Sequence, residues 1–307
     1  MMNQKTLSSH STPDQASNPA SDPPPNQAIQ FRQYVSGVWK TLTGEVIAEK
    51  SVSLTVNGDE WLSLICTPID LEALAVGFLF NEGFIQSMED VADVRPCKTL
   101  ENIDIWLNQP IEKPRQWRRT SGCTGGVTSI DSHGQGSPVL NGGTITPQQV
   151  CALISQLFDV QDLYRKSGGV HTSALSDGEQ ILIIAEDIGR HNTLDKIAGK
   201  LLMQGLQPRR RILMTTGRIS SEMLQKAGRI NASILITRTS PSSLSIAMAE
   251  RQGITLIGYA RRNQFNAYTH PERLDTLPGW RDRRPEEARL EPASENELDP
   301  KANHETI

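Results

Sequence analysis

The stretch Ile181-Leu182-Ile183-Ile184-Ala185-Glu186-Asp187-Ile188-Gly189-Arg190-His191 decides how this chain folds. Its first five residues are continuously apolar, too short for a helix and without polar alternation. Such a run reads as a strand covered on both faces. Three further runs follow the same plan, at Ile212–Thr215, Ile234–Thr237 and Ile254–Tyr259. Between them lie stretches with helical spacing, around Thr193–Met203, Ser221–Arg229 and Ser242–Arg251. Strands alternating with single helices imply a parallel sheet with right-handed crossovers, so the fold class is α/β.

Working towards the N-terminus, Val52, Leu54 and Val56 alternate, Asn57-Gly58 supplies a turn, and Leu62, Leu64 and Cys66 alternate again. That pattern is a β-hairpin. A helix follows, with Asp70 as its expected cap, Leu71, Leu74, Ala75, Phe78 and Leu79 as its apolar face and Gly83 as its stop. Ile103, Ile105 and Leu107 read as a strand, and Thr146-Pro147 opens a helix bearing Val150, Leu153, Ile154, Leu157 and Phe158. Ser8–Asn26 is polar and contains Pro23-Pro24-Pro25. Residues 1–29 are therefore expected to be a disordered Ser/Pro-rich arm, and the charged tail 281–307 likewise. Between these ends the reading is an N-terminal portion over 30–145 and an α/β portion over 146–280.

Charge excludes some functions. The 307 residues carry 31 basic and 35 acidic side chains. Without the arm and the tail, the body holds 25 of each sign. No global field draws the body to nucleic acid or to an anionic membrane, so any anion site is a local cluster. No apolar run reaches the roughly eighteen residues of a membrane span, and no basic-then-apolar leader opens the chain. The cysteines Cys66, Cys97, Cys123 and Cys151 are scattered. Their spacing fits a reducing compartment and forms no sequence-local metal knuckle, so the expected location is cytoplasmic with no metal site of its own.

A local anion cluster is in view. Ligands of open α/β sheets collect beyond the carboxyl ends of the strands. Glu186, Asp187, Gly189, Arg190 and His191 follow the first run; Thr216, Gly217 and Arg218 the second; Arg238, Thr239 and Ser240 the third; Arg261 and Arg262 the fourth. Ser220-Ser221 reads as one helix cap, and Ser240-Pro241 as a cap plus first helical residue. Helix starts and arginine forks both suit phosphate. The alternative is that each arginine pairs with Glu186, Asp187 or Glu222. Neither GxxxxGK[ST] nor GxGxxG is present.

Residues 109–143 lack apolar periodicity and contain Pro110, Pro114, Pro138 and Arg115, Arg118, Arg119. A loop of that length is usually functional. It carries Ser121-Gly122-Cys123-Thr124-Gly125-Gly126. Arginines lower a thiol's pKa and glycines admit a partner's backbone, so Cys123 is the candidate sulfur-carrying thiolate; the alternative is a bystander thiol. Cys66 and Cys151 lie on apolar faces and read as core. His171, Asp187 and His191 serve either in proton transfer or in fixing strand ends.

The run Glu186–Lys196 resembles the signature of the formate dehydrogenase accessory sulfurtransferases, the FdhD family. So do Ser167–His171, Gly217–Met223, Thr239–Leu244, Phe265–Pro271 and the helix Gly77–Gly83. The resemblance runs from about Gly44 to Leu274. It implies a sulfurtransferase that accepts persulfide sulfur from a cysteine desulfurase. The sulfur then passes to a molybdenum or tungsten bis-molybdopterin guanine dinucleotide, the cofactor of the client formate dehydrogenase. It also implies a three-layer α/β fold like that of cytidine deaminases, although the deaminase zinc motif is absent. The family's cofactor-contact segment falls on Tyr259-Ala260-Arg261-Arg262-Asn263-Gln264. A homodimer is among the assemblies the resemblance allows.

One departure stands out. Many members carry a CxxC pair in the long loop, whereas Thr124, Gly125 and Gly126 follow Cys123 here. One thiolate still holds a persulfide, but no neighbouring thiol expels the sulfur by closing a disulfide. Release then falls to direct attack by the acceptor or to an external thiol. Two other readings compete: a cofactor-binding insertion chaperone in which Cys123 is dispensable, and a nucleotide hydrolase or deaminase relative.

Overall fold

The computed structural model describes residues 25–114, 117–119, 127–129 and 143–274. The loop glycines and Cys123 lie outside the described residues, as do most of the arm and the tail. A hairpin absent from the sequence reading comes first among the described residues. β1 (Asn26–Val35) and β2 (Val38–Ile47) pair antiparallel over ten residue pairs. β1 starts four residues inside the stretch expected to be disordered. Its polar side chains are those of an exposed ribbon, so composition alone does not mark it as ordered.

β3 (Lys50–Val56) and β4 (Asp59–Cys66) form the expected hairpin. Asn57 and Gly58 both take positive φ, 50° and 88°, as a tight two-residue turn requires. β5 (Val91–Pro96) and β6 (Asn102–Leu107) complete a sheet of order β4-β3-β6-β5. Helix α1 (Leu71–Glu82) covers one face of it and ends at Gly83, φ 86°. Asp70 does not cap α1: its backbone is left-handed and its carboxylate pairs with Lys200 Nζ at 2.7 Å. Within the long loop, β7 (Trp117–Arg119) and β8 (Val127–Ser129) pair antiparallel, with Arg119 opposite Val127. Cys123 belongs to the connection between them.

The second sheet holds β9 (His171–Ser176), β10 (Ile181–Asp187), β11 (Ile212–Thr215), β12 (Ile234–Thr237), β13 (Thr255–Gly258) and β14 (Asn266–Ala267). Their order is β10-β9-β11-β12-β13-β14. The four apolar runs are all strands, yet the sheet is mixed rather than parallel. β11, β12 and β13 are mutually parallel, whereas β9 lies antiparallel between β10 and β11, and β14 adds an antiparallel edge. β10 therefore still points the same way as the other three runs. β9 escapes a hydrophobic reading because Thr172, Ser173 and Ser176 are fully buried hydroxyl residues. Hydrogen-bond partners satisfy them: Ser173 Oγ lies 2.6 Å from Thr193 Oγ1 and 2.9 Å from Thr215 Oγ1, and Ser176 Oγ accepts the Gly178 N–H at 2.9 Å.

Three layers follow from the strand pleat. Ile212, Met214, Ile234, Ile236 and Ile257 face α2 (Pro147–Asp159), which Thr146 and Gln149 start with a reciprocal capping box. Leu213, Leu235 and Leu256 face α4 (Arg190–Met203), α5 (Ser221–Arg229) and α6 (Ser243–Gln252). Both faces being covered explains runs without alternation. Ser220 caps α5 as expected, but Ser242, not Ser240, caps α6, because Pro241 is held in a bridge to Ile219. A short helix, α3 (Asp162–Ser167), connects α2 to β9.

The two sheets are joined where α1 crosses α4. A Cβ at Gly77 would lie 1.7 Å from the Asp195 carbonyl oxygen, and one at Gly199 would lie 1.9 Å from that of Ala73. The helices touch backbone to backbone, which only glycine permits. Gly199→Ala is expected to destabilise the fold by about 3 kcal/mol or more, as overpacking against backbone does. Gly205→Ala meets open space at φ 62° and is expected to cost only about 1 kcal/mol through its backbone angle. Urea unfolding of the two variants checks the contrast.

Candidate functional site

The signature after β10 is first a structural device. Asp187 Oδ1 accepts the Gly189 N–H and the Asn192 amide, both at 2.8 Å. Its Oδ2 accepts the Thr67 N–H at 3.1 Å and Lys196 Nζ at 2.6 Å. Lys196 also donates to the carbonyls of Thr67 at 3.0 Å and Glu186 at 3.3 Å. Asp187 and Lys196 are both fully buried. Asp187 thus fixes the strand end, and with every acceptor direction engaged it is no free base. A second buried set sits one turn on: Asp195 accepts Lys226 Nζ at 2.6 and 2.7 Å and the Asn81 amide at 2.7 Å.

His191 is 3% exposed, with Nε2 3.9 Å from Glu222 Oε2. Burial pushes its pKa down, against the attraction of Glu222. Glu222 in turn is held well below the usual carboxylate range by His191 and by the Ser220 hydroxyl at 2.7 Å. His191 lines no part of the cavity described next.

That cavity follows from the reversal of β9. Because β9 runs against its neighbours, its first residue lies where β10 and β11 end: His171 pairs with Asp187, and Ser173 with Thr215. A cavity of about 370 Å³ opens there, bounded by His171, Thr216, Ile188, the Gly168-Gly169-Val170 turn, Tyr164, Arg238, Thr239 and Arg261. No carboxylate is among these residues.

His171 is the histidine of the cavity. The Thr216 hydroxyl accepts the Thr172 N–H at 3.1 Å and lies 3.4 Å from His171 Nδ1. Burial pushes the His171 pKa down and the Arg190 charge pushes it further, against the pull of Asp187. The neutral ring is the resting form at pH 7.

The opposite wall hangs from one carboxylate. Glu186, 7% exposed, accepts the N–H groups of Leu163 at 2.8 Å and Tyr164 at 3.2 Å and the Thr172 hydroxyl at 3.1 Å. It thereby caps α3, which presents Tyr164 and ends at Gly168, φ 72°. Sequence reasoning missed Tyr164, Gly168 and Gly169 as site residues, and placed Thr216, Thr239 and Glu186 at the ligand edge without a role beyond arginine pairing for Glu186.

The expected arginine edge divides in two. Arg238 lies with its guanidinium 4.5 Å over the Phe158 ring, and Arg261 donates to the Arg238 carbonyl at 2.6 Å. Both are half-buried and line the cavity. Burial, with Arg261 alongside, draws the Arg238 pKa down, but a guanidinium stays charged. Arg190 is buried at the start of α4 against Gly217, and Arg218 is exposed; their charges reach His171 without lining the cavity. In the segment Tyr259–Gln264, Ala260 is a core residue whose N–H bonds to Thr237. It therefore contributes no side chain to a ligand. Tyr259, Arg262, Asn263 and Gln264 are exposed.

Among the described thiols, Cys66 is buried and pushed up to about 12 by burial and by Asp187. Cys151 is half-buried rather than core, and burial raises its pKa. Cys97 is lowered: burial raises it, but the Thr99 hydroxyl and the N–H groups of Glu101 and Asn102, each 3.3 Å from Sγ, outweigh that.

The profile of the FdhD/NarQ family matches residues 47–275. The chain belongs to the FdhD/NarQ family. It is 34% identical over 253 residues to the sulfur carrier protein FdhD of Bacillus subtilis (strain 168), covering 78% of this chain and 97% of that one. It is 32% identical over 248 residues to the protein of that name from Staphylococcus aureus (strain MRSA252), covering 79% and 94%. A crystal structure from Desulfotalea psychrophila, assigned as a formate dehydrogenase accessory protein, superposes with a TM-score of 0.71 at 27% identity, over 82% of this chain and all of that one. Among the described residues of this FdhD/NarQ chain, no helix is long and apolar enough to cross a membrane. Among the same described residues, no group of three or more His, Cys, Asp or Glu is placed to hold a metal ion.

Two outcomes follow. Lys196→Met leaves Asp187 buried without its cation, so a loss of about 3–5 kcal/mol is expected in chemical denaturation. The His171 ring is expected to titrate below about 6.5 by NMR. Because the folded pKa is the lower one, the stability tied to His171 is complete above about pH 6.5 and declines as pH falls through the folded value. Thermal melts of wild type and His171→Gln between neutral and mildly acid pH are expected to converge on acidification.

Proposed function

We propose that this chain is a sulfur carrier for formate dehydrogenase maturation, in which Cys123 carries the sulfur and the edge cavity holds the anionic, nucleotide-bearing part of the acceptor. The observation that carries the reading is the pair Arg238 and Arg261: two half-buried guanidiniums facing a cavity with no carboxylate among its described lining residues. Two such cations at a sheet edge are stabilised when a phosphate-rich ligand supplies counter-charge. The names of the relatives, sulfur carrier protein and formate dehydrogenase accessory protein, agree with that cargo.

In this reading the Cys123 thiolate attacks the outer sulfur of a cysteine desulfurase persulfide. A Cys123 persulfide forms, and the donor's own thiolate leaves. The acceptor is the molybdenum or tungsten bis-molybdopterin guanine dinucleotide destined for formate dehydrogenase, bound as cargo. Its pyrophosphate lies against Arg238 and Arg261, with hydrogen bonds from Thr239 and the neutral His171. Arg190 and Arg218 add long-range positive potential, and the exposed Tyr259, Arg262, Asn263 and Gln264 contact the rest of the ligand. The exchange takes place in the cytoplasm, where thiols stay reduced. Sulfur leaves Cys123 by direct attack of the acceptor or through an external thiol.

The absent second cysteine favours one other reading, a cofactor-insertion chaperone in which Cys123 is dispensable. Intact-mass measurement after incubation with a desulfurase and cysteine separates the two. Sulfur transfer requires one added sulfur atom on wild type, none on Cys123→Ala, and loss of formate dehydrogenase maturation by that variant. Maturation undiminished in Cys123→Ala rejects sulfur carriage. At the cavity, Arg261→Ala is expected to weaken guanine nucleotide binding by about 1.5–3 kcal/mol, read by calorimetry at low salt; an unchanged affinity rejects the placement.

A further inference from the structure

The charge of the edge cavity is fixed except at one side chain. Arg238 and Arg261 bring two positive charges to its wall, and no carboxylate is among its described lining residues. Those guanidiniums stay charged, and Tyr164 on the same wall stays neutral, across the range around neutrality. His171 is the lining side chain whose charge changes there. Its ring is half-buried, at the start of β9, where the ends of β10 and β11 meet it.

Each element around the ring bears on that charge. On β10, Asp187 favours a proton on His171, but its carboxylate is already engaged by Lys196 at 2.6 Å and by the Thr67, Gly189 and Asn192 donors. Glu186 beside it is taken up by Leu163, Tyr164 and Thr172. Arg190 and His191 on α4 oppose the proton, as does Arg218 between β11 and α5. Thr216, 3.4 Å from Nδ1, is uncharged. In the free protein, therefore, the balance disfavours the imidazolium. An anion in the cavity reverses it. A volume of about 370 Å³ is that of a sphere about 9 Å across. A ligand held by Arg238 and Arg261 thus acts on the ring at short range, where an opposite charge favours the protonated form.

On the reading of this cavity as an anion site, and independently of Cys123, we propose that His171 is its proton-coupled third cation: the ring takes up a proton as a pyrophosphate-bearing ligand binds and gives it back when the ligand is handed on. Linkage fixes the sign. A bound anion raises the pKa of the ring above its value in the free protein. Affinity is constant above the higher of the two values, where the ring is neutral in both states and offers the ligand only a hydrogen bond. It rises as the pH falls between them and levels off below the lower one. The same coupling bears on specificity, since a pyrophosphate diester with two charges gains more from a third cation than a single phosphodiester does.

Calorimetry of the full-length chain with a guanosine diphosphate sugar tests it. Both ends of that pyrophosphate are esterified, so it lacks the ionisation of a terminal phosphate near about pH 6 and keeps its charge while His171 titrates. Wild type is expected to bind about fivefold or more tighter in mild acid than at alkaline pH. It is also expected to take up a fraction of a proton, read from the dependence of the binding heat on the ionisation enthalpy of the buffer. His171→Gln, which keeps a hydrogen-bond donor without a titrating ring, is expected to show neither effect. By NMR the His171 resonance, identified by its loss in that variant, is expected to titrate at higher pH with the sugar nucleotide than without it. Should His171→Gln not fold, this shift in wild type decides the matter. An affinity that is flat or falls on acidification, binding without proton uptake, an unmoved His171 titration, or a pH dependence retained by His171→Gln overturns the inference and leaves the anion site standing. A wild type that binds the sugar nucleotide at no pH rejects the anion site, and the inference with it.

Discussion

The fully buried pair Asp187–Lys196 is the interaction on which the rest of this structure depends. Asp187 ends β10, Lys196 rises from α4, and both bind Thr67 at the end of β4. One ion pair therefore ties the two sheets and the helix between them. Breaking such a pair leaves an uncompensated charge in low dielectric, which is far more damaging than the pair is stabilising. The hydrogen bonds from Gly189, Asn192 and Thr67 complete it, and the arrangement admits one register of α4 on the sheet.

Much of the fold is legible in the residues. Runs such as Ile234–Thr237 are apolar on both faces because helices cover both, and Thr146-Pro147 and Gly83 mark helix ends by chemistry that acts locally. What escapes is what tertiary partners decide. β9 is written in buried hydroxyls whose hydrogen bonds come from β11 and α4. Asp70 is drawn from its expected cap by Lys200. The β1–β2 ribbon has the composition of a polar arm, and only its pairing orders it.

The site is legible to a lesser degree. Arg238 and Arg261 were readable because they follow parallel strands, whose ends share an edge. Arg190 and Arg218 follow the same rule and yet miss the cavity, since the first is packed under Gly217 and the second faces solvent. Tyr164 had no signal and the Gly168-Gly169 turn only that of the family resemblance, because they reach the edge only through α3 and the reversed strand. Asp187, open between chemistry and structure in the sequence, proves structural once its four donors are counted. Cys123 remains a reading of sequence, bracketed by β7 and β8.

The contact of α1 with α4 has a mechanical corollary. Where Gly77 and Gly199 bring two backbones together, no side chains remain between the helices to slide or repack. The halves of the molecule are in effect welded, with no hinge along that seam. Access to the arginine cavity cannot come from the sheets opening like jaws. The parts around it free to yield are the small ones at its rim: α3, suspended from Glu186, and the Gly168-Gly169 turn.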